Sequence, residues 1–84
     1  MKNSQILKSA VIEVVENQLS SNDPPETQQT FERLQREGHS EIKAKELIGC
    51  VVVSEIFEVL QKREPFDLKR FIKALNDLPK IPGD

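Results

Sequence analysis

Between the turn Gly38-His39-Ser40 and the break at Glu64-Pro65 lies one uninterrupted stretch, EIKAKELIGCVVVSEIFEVLQK (41–62), which holds the densest apolar run in the chain. Three consecutive valines, Val51 to Val53, favour a pleated strand, but a strand ends within about 4–8 residues and this run continues without a breaker. The spacing therefore predicts a long helix over about 41–63. At about 100° per residue, Ile42, Gly49, Cys50, Val52, Val53, Ile56, Phe57, Val59 and Leu60 share one broad face, the expected contact with the rest of the chain. Ser54, Glu55, Glu58 and Lys62 fall opposite, and Glu46 is the misfit on the broad face. Glu41 in the first turn and Lys62 and Arg63 in the last suit the helix dipole, and Glu41/Lys45 and Glu58/Lys62 are i,i+4 pairs in the better orientation.

The first half of this helix carries a second apolar patch, Ala44, Leu47, Ile48 and Val51, on the otherwise polar side. A helix that is apolar nearly all round is touched from several sides. This patch is the candidate interaction surface, to be covered by another helix of the chain or by a second copy. Gly49 costs about 1 kcal/mol relative to alanine in a helix interior; it either admits a close backbone approach or is tolerated.

Eighty-four residues make a single domain, 1–84, and a chain this short buries only about 60–65% of its unfolded surface. One cysteine and one histidine supply neither an internal disulfide nor a zinc site, which leaves oligomerisation as the usual remedy for a marginal core. A net charge of −2 disfavours nucleic acid as a partner, because nucleic-acid binding normally shows as a basic footprint. A free thiol in an apolar run suits a reducing, cytoplasmic setting. Lys8, Glu13 and Glu16 interrupt any signal-peptide core in the first residues, and no window of about 18 apolar residues predicts a membrane span.

Three further helices are expected. The first covers 4–19, with Ile6, Leu7, Ala10, Val11, Val14 and Val15 inward and Ile12 and Leu19 off that face. SSNDPP (20–25) breaks it, and Asp23 as N-cap, Pro24 at the first helical position and Glu26 open a second helix over 24–37. That helix has only Phe31 and Leu34 as large anchors, beside Thr27 and Thr30, and ends with Gly38 past its C-terminus. Ser40 caps the long third helix. Asp67 caps the fourth, 67–78, with Phe66 and Phe71 as a hydrophobic staple and Leu68, Phe71, Ile72, Leu75 and Leu78 on one face. Residues 79–84 are expected to form a flexible tail.

Chemistry-bearing residues are sparse. His39 lies in a turn, where capping already uses its neighbour Ser40, and a general base needs an acid or nucleophile partner. Cys50 sits among valines, which makes it a small core residue rather than a nucleophile. Glu13/Glu16 and Glu55/Glu58 are i,i+3 carboxylate pairs without the Glu-x-x-His partners of a di-metal bundle, and they read as solvated faces. No catalytic, metal or cofactor residue emerges. Lys69, Arg70 and Lys73 share the outward side of the fourth helix as candidates for a polar contact. The segment 31–47, helix, glycine turn and helix, also mimics a DNA-reading helix-turn-helix. Its second helix turns apolar after Glu46, where base-reading side chains belong.

Pro24-Pro25, Arg33-Leu34, Gly38, Ser40, Ala44, Ile48, Glu55-Ile56 and Leu60 follow the pattern P-P, R-L-x-x-x-G-x-S-x-x-x-A-x-x-x-I, E-I-x-x-x-L. With the closing Pro65-Phe66-Asp67 and Leu78-Pro79, this resembles a group of small bacterial all-helical proteins of uncharacterised function. The resemblance implies a bacterial, soluble, helical chain and transfers no active site. The expectation is an all-α, four-helix domain acting as a non-enzymatic protein–protein interaction module that forms a homodimer through apolar helix faces. The alternative is a small DNA-binding regulator.

Overall fold

A computed structural model of the chain describes residues 2–82, with side chains from residue 7 onward. Four helices follow one another: α1 (Lys2–Ser21), α2 (Pro25–Arg36), α3 (Glu41–Lys62) and α4 (Leu68–Asp77). The described residues contain no strand, and α3 packs against each of the other three helices. The fold is the all-α, four-helix domain that the helical periodicity predicts.

The helix ends follow from local chemistry. Ser40 Oγ accepts from the Lys43 N–H at 3.1 Å and starts α3. Asp67 Oδ1 accepts from the Arg70 N–H at 3.2 Å and starts α4. Behind that cap the Phe66 and Phe71 rings meet with centroids 5.6 Å apart, the expected staple. Past α2 the Gly38 N–H reaches the Leu34 turn through Gln35 O, and the His39 N–H donates to Leu34 O, both at 3.0 Å. This is the Schellman arrangement, and it needs the φ of +104° that Gly38 adopts. His39 thus serves the turn through its backbone.

Two boundaries shift. Pro24, not Asp23, occupies the N-cap of α2, extended at φ −77° and ψ 153°, with no side-chain cap bond. A residue ahead of a proline is pushed out of the α region, so Pro25 decides where the helix can begin. At the other end of the long helix, Arg63 takes a left-handed conformation with φ 53° and stops α3 at Lys62.

Packing is built on the α2–α3 hairpin. In an antiparallel hairpin, positions equidistant from the turn come level, which pairs Leu34 with Ala44, Thr30 with Ile48, and Thr27 with Val51. All six are buried. Thr27 keeps its hydroxyl satisfied by donating to Gln18 Oε1 of α1 at 3.0 Å.

α1 crosses α3 at Gly49. A Cβ there would stand 3.1 Å from Val11 Cγ1, so the glycine does admit a close helix approach. The buried line of α1 is Val11 and Val15 with Leu19 packed beside them. Leu7, Ala10 and Val14 are exposed, against the expected inward face; the Ile6 side chain lies outside the described residues. The notch at Gly49 explains the choice, since it selects the i, i+4, i+8 line that starts at Val11. α4 contributes Phe71, Leu75 and Leu78 to the core, and Arg33 Nη2 of α2 donates to Leu75 O at 3.1 Å. Past α4 the chain turns, with the Lys80 N–H on Asp77 O, and Ile81 packs against the core.

Candidate functional site

Ala44, Leu47, Ile48 and Val51 are not a surface. They are at most 4% exposed and form the centre of the chain's own core. The hairpin is the physical reason: α2 leaves the turn on this side of α3 and covers the patch with Thr27, Thr30 and Leu34. The broad face that was expected to be internal is open along much of its length. Ile42 is 73% exposed, Ile56 48%, Phe57 59% and Leu60 69%, with Phe66 at 54% and Leu68 at 47% just beyond the helix.

This open face has shape as well as apolarity. Among the described residues α1 and α4 do not pack on one another, so a gap remains over the C-terminal half of α3. The gap is a groove of about 280 Å³ whose floor is Val52, Ile56, Val59 and Leu60, with Gln18 of α1 on one side and Phe66 and Phe71 on the other. A second, shallower groove of about 480 Å³ runs between α1 and α3 beside Leu7, Val11, Ile12, Cys50 and Val53. Its rim carries the Lys8 Nζ–Glu46 Oε2 ion pair at 2.8 Å, which gives the misfit Glu46 a partner and holds its carboxyl below the usual range. Val53, Ile56, Phe57 and Leu60 follow i, i+3, i+4, i+7 spacing and link the two grooves into one stripe.

The polar residues predicted on α4 separate into three fates. Arg70 does not point outward. Its Nε donates to Glu55 Oε1 at 2.9 Å and its Nη2 to Glu55 Oε2 at 2.7 Å, a two-pronged clamp. The Asp67 N–H adds a third bond to Oε2 at 3.1 Å. Lys73 pairs with Asp77 Oδ2 at 3.1 Å on its own helix, and Lys69 is exposed next to Leu68. Glu55 is correspondingly not a solvated carboxylate: it is 6% exposed. The Arg70 guanidinium holds its carboxyl below the ordinary range, burial opposes this, and the Asp67 N–H adds to the lowering. The clamp fixes the start of α4, and with it Phe66, along the edge of the groove.

The other polar assignments are more modest. Lys45 leaves Glu41 for Glu16 Oε2 of α1 at 3.2 Å, with its Nζ 5.9 Å from the centre of the Phe31 ring. Lys62 Nζ meets Glu58 Oε2 at 2.8 Å, the expected i,i+4 pair. Cys50 is half-buried in the wall of the α1–α3 groove rather than in the core. Among the described residues no cluster of His, Cys, Asp and Glu could hold a metal ion, and none of the described helices is long and apolar enough to cross a membrane.

The arrangement leaves a stripe of apolar side chains open to solvent along α3. Periodicity alone could not find the residues responsible, because Ile56, Phe57 and Leu60 have the signature of core positions. A usable signal lay in the helix lengths: α2, with 12 residues, cannot cover the 22 of α3. Comparison with family models, with curated proteins and with solved structures gives no match.

Proposed function

We propose that this chain is a small non-enzymatic protein–protein interaction module that self-associates as a homodimer through the open end of α3. The observation that carries the reading is the exposure of Ile56, Leu60 and Phe66 in one groove, with Phe57 and Leu68 exposed outside its lining. At about 200 Å² for a fully exposed side chain of this size, these residues present roughly 550 Å² of apolar surface. Wholly covered, it would supply the larger part of the roughly 800 Å² that each partner contributes to a standard stable interface. The charges interleaved with the patch also favour a second copy. Glu58, Glu64 and Asp67 balance Lys62, Arg63 and Lys69, so two copies can face each other without net repulsion. Lys69 supplies a rim contact to such a partner. The free Cys50 and the resemblance to bacterial helical proteins favour a bacterial, cytoplasmic setting.

The DNA-binding reading receives less support. The first turn of α3, which a helix-turn-helix would aim at base edges, presents Glu41, Ile42 and Lys43. The next charged residues, Lys45 and Glu46, are engaged by α1.

Sedimentation equilibrium from about 1 to 500 μM tests the proposal. The expected result is a concentration-dependent monomer–dimer equilibrium in the wild type, and a monomer with an unchanged helical circular dichroism spectrum for Leu60→Asp. A wild-type chain that stays monomeric across the whole range overturns it.

A further inference from the structure

Beneath the α4 wall of the groove lies a carboxylate. Glu55 is buried and lines the groove, about 40° round α3 from Val59 and about 60° from Val52. A buried ion pair is a costly way to hold two helices together, because desolvation offsets much of the attraction and apolar side chains of similar volume often serve as well. What an arginine adds is direction, since its planar fork fixes the angle and distance at which it meets a carboxylate. Arg70 Nε and Nη2 meet the two Glu55 oxygens at 2.9 and 2.7 Å, and the Asp67 N–H takes a further place on Oε2 at 3.1 Å.

The Asp67 bond bears most directly on the surface. Arg63, left-handed at φ 53°, turns the chain out of α3, and residues 61–69 are exposed throughout. This segment carries Phe66, one residue ahead of the amide that Glu55 holds. The Phe66 ring lies against Phe71, with centroids 5.6 Å apart, and Phe71 is itself buried in the core. Phe66 is therefore held twice, its backbone through the Glu55 carboxylate and its ring by Phe71, and it forms the edge of the groove before anything covers it. An exposed aromatic held in this way loses little conformational freedom when it is covered. One on a loose segment would lose more, and association would be weaker by that cost.

We infer that Glu55, through its bonds to Arg70 and Asp67, is a positioning residue of the surface through which two copies meet, holding Phe66 where its ring can contact the second copy. This rests on the self-association proposed above and is the same for either direction of pairing of the two α3 helices. Glu55 is buried, so it acts through the 63–67 segment rather than by touching the second copy.

A double-mutant cycle on the dimer dissociation constant, measured by sedimentation equilibrium of the full chain at neutral pH, tests the role. Phe66→Ala is expected to raise the constant about 10-fold, the scale of a lost aromatic anchor. Glu55→Gln is expected to raise it about 5-fold, the scale of ordering a loosened side chain on association, with helical circular dichroism unchanged in both. In the Phe66→Ala background Glu55→Gln should change the constant by less than about 2-fold, because the ring it places is gone. A role confined to general stability would weaken both backgrounds alike. Arg70→Lys keeps the charge and loses the fork, and taken through the same cycle it reads the same coupling should Glu55→Gln fail to fold. If the wild type dimerises and the folded variant leaves the constant unchanged, or weakens it equally with and without Phe66, the positioning role is overturned while self-association stands. A wild-type monomer removes both.

Discussion

The two halves of α3 carry comparable apolar residues and meet opposite fates. Up to Val53, level with α2, Ala44, Leu47, Ile48, Gly49, Val51 and Val52 are buried. Beyond it the large apolar residues Ile56, Phe57 and Leu60 are exposed, and the buried residue is a carboxylate, Glu55. Neighbour length is the cause. A helix advances 1.5 Å per residue, so the 12 residues of α2 run about 18 Å back along α3 and end level with Val53. Beyond that level α3 has α4 along one edge, held there by the Glu55–Arg70 clamp, and the described residues leave Phe57 59% exposed. Burial is thus decided by which partner reaches a position, more than by how apolar the position is.

The comparison is broken most directly by placing the same charge in each half. Val51→Asp puts a carboxylate at a site 1% exposed with no partner, a cost of several kcal/mol set against a total stability of about 5 kcal/mol for a domain of this size. The expected outcome is loss of cooperative thermal unfolding and of most helical circular dichroism at neutral pH. Leu60→Asp, on the open half, should change the urea-measured stability of the dilute monomer by no more than about 0.5 kcal/mol. Equal tolerance of the two substitutions would mean that the halves do not differ.

A second test addresses the clamp that replaces apolar burial in the open half. Glu55→Gln keeps the shape and removes the charge that receives the two Arg70 donors and the Asp67 N–H. The loss should be about 2 kcal/mol at neutral pH, since partners of a buried carboxylate are left poorly satisfied. Because the folded-state pKa of Glu55 is lowered, its contribution is present above the unfolded value of about 4.3 and is lost as the pH falls through the lower folded value. Urea titrations should therefore show wild type and Glu55→Gln converging below about pH 4. A gap that stays constant into acid would show that the charge is not what holds α4 in place.

How far the chain was legible before its structure follows the same division. Helix existence and the Ser40 and Asp67 caps are local chemistry, and they read directly from residue order, as do the Phe66–Phe71 staple and the Gly38 turn. The choice between the two faces of α3 is not local. Periodicity ranks faces by width, and the wider face contains Ile56, Phe57 and Leu60; the hairpin covers the narrower one because the turn delivers α2 there. The pairing of Leu34, Thr30 and Thr27 with Ala44, Ile48 and Val51 about the turn was available in the spacing and would have reversed the assignment. Glu55 and Arg70 were hidden for a different reason. Fifteen residues apart, each has the ordinary setting of a surface charge, and only the angle between α3 and α4 brings them together.

The smallest effect concerns the notch through which α1 is held on the covered half. Gly49→Ala gains about 1 kcal/mol of helix propensity but sets a methyl 3.1 Å from Val11 Cγ1, so α1 has to yield by a few tenths of an ångström. The two contributions should nearly cancel, leaving a net change within about 0.5 kcal/mol. Val11→Ala removes the obstructing methyl groups, and in that background Gly49→Ala should stabilise by close to the full propensity gain of about 1 kcal/mol. The double-mutant cycle then reads a coupling of about 0.5–1.5 kcal/mol between residues that touch across α1 and α3. If Gly49→Ala stabilises equally with Val11 present, the glycine is not what lets α1 close over the first half of α3, and the contrast between the two halves rests on the hairpin with α2 alone.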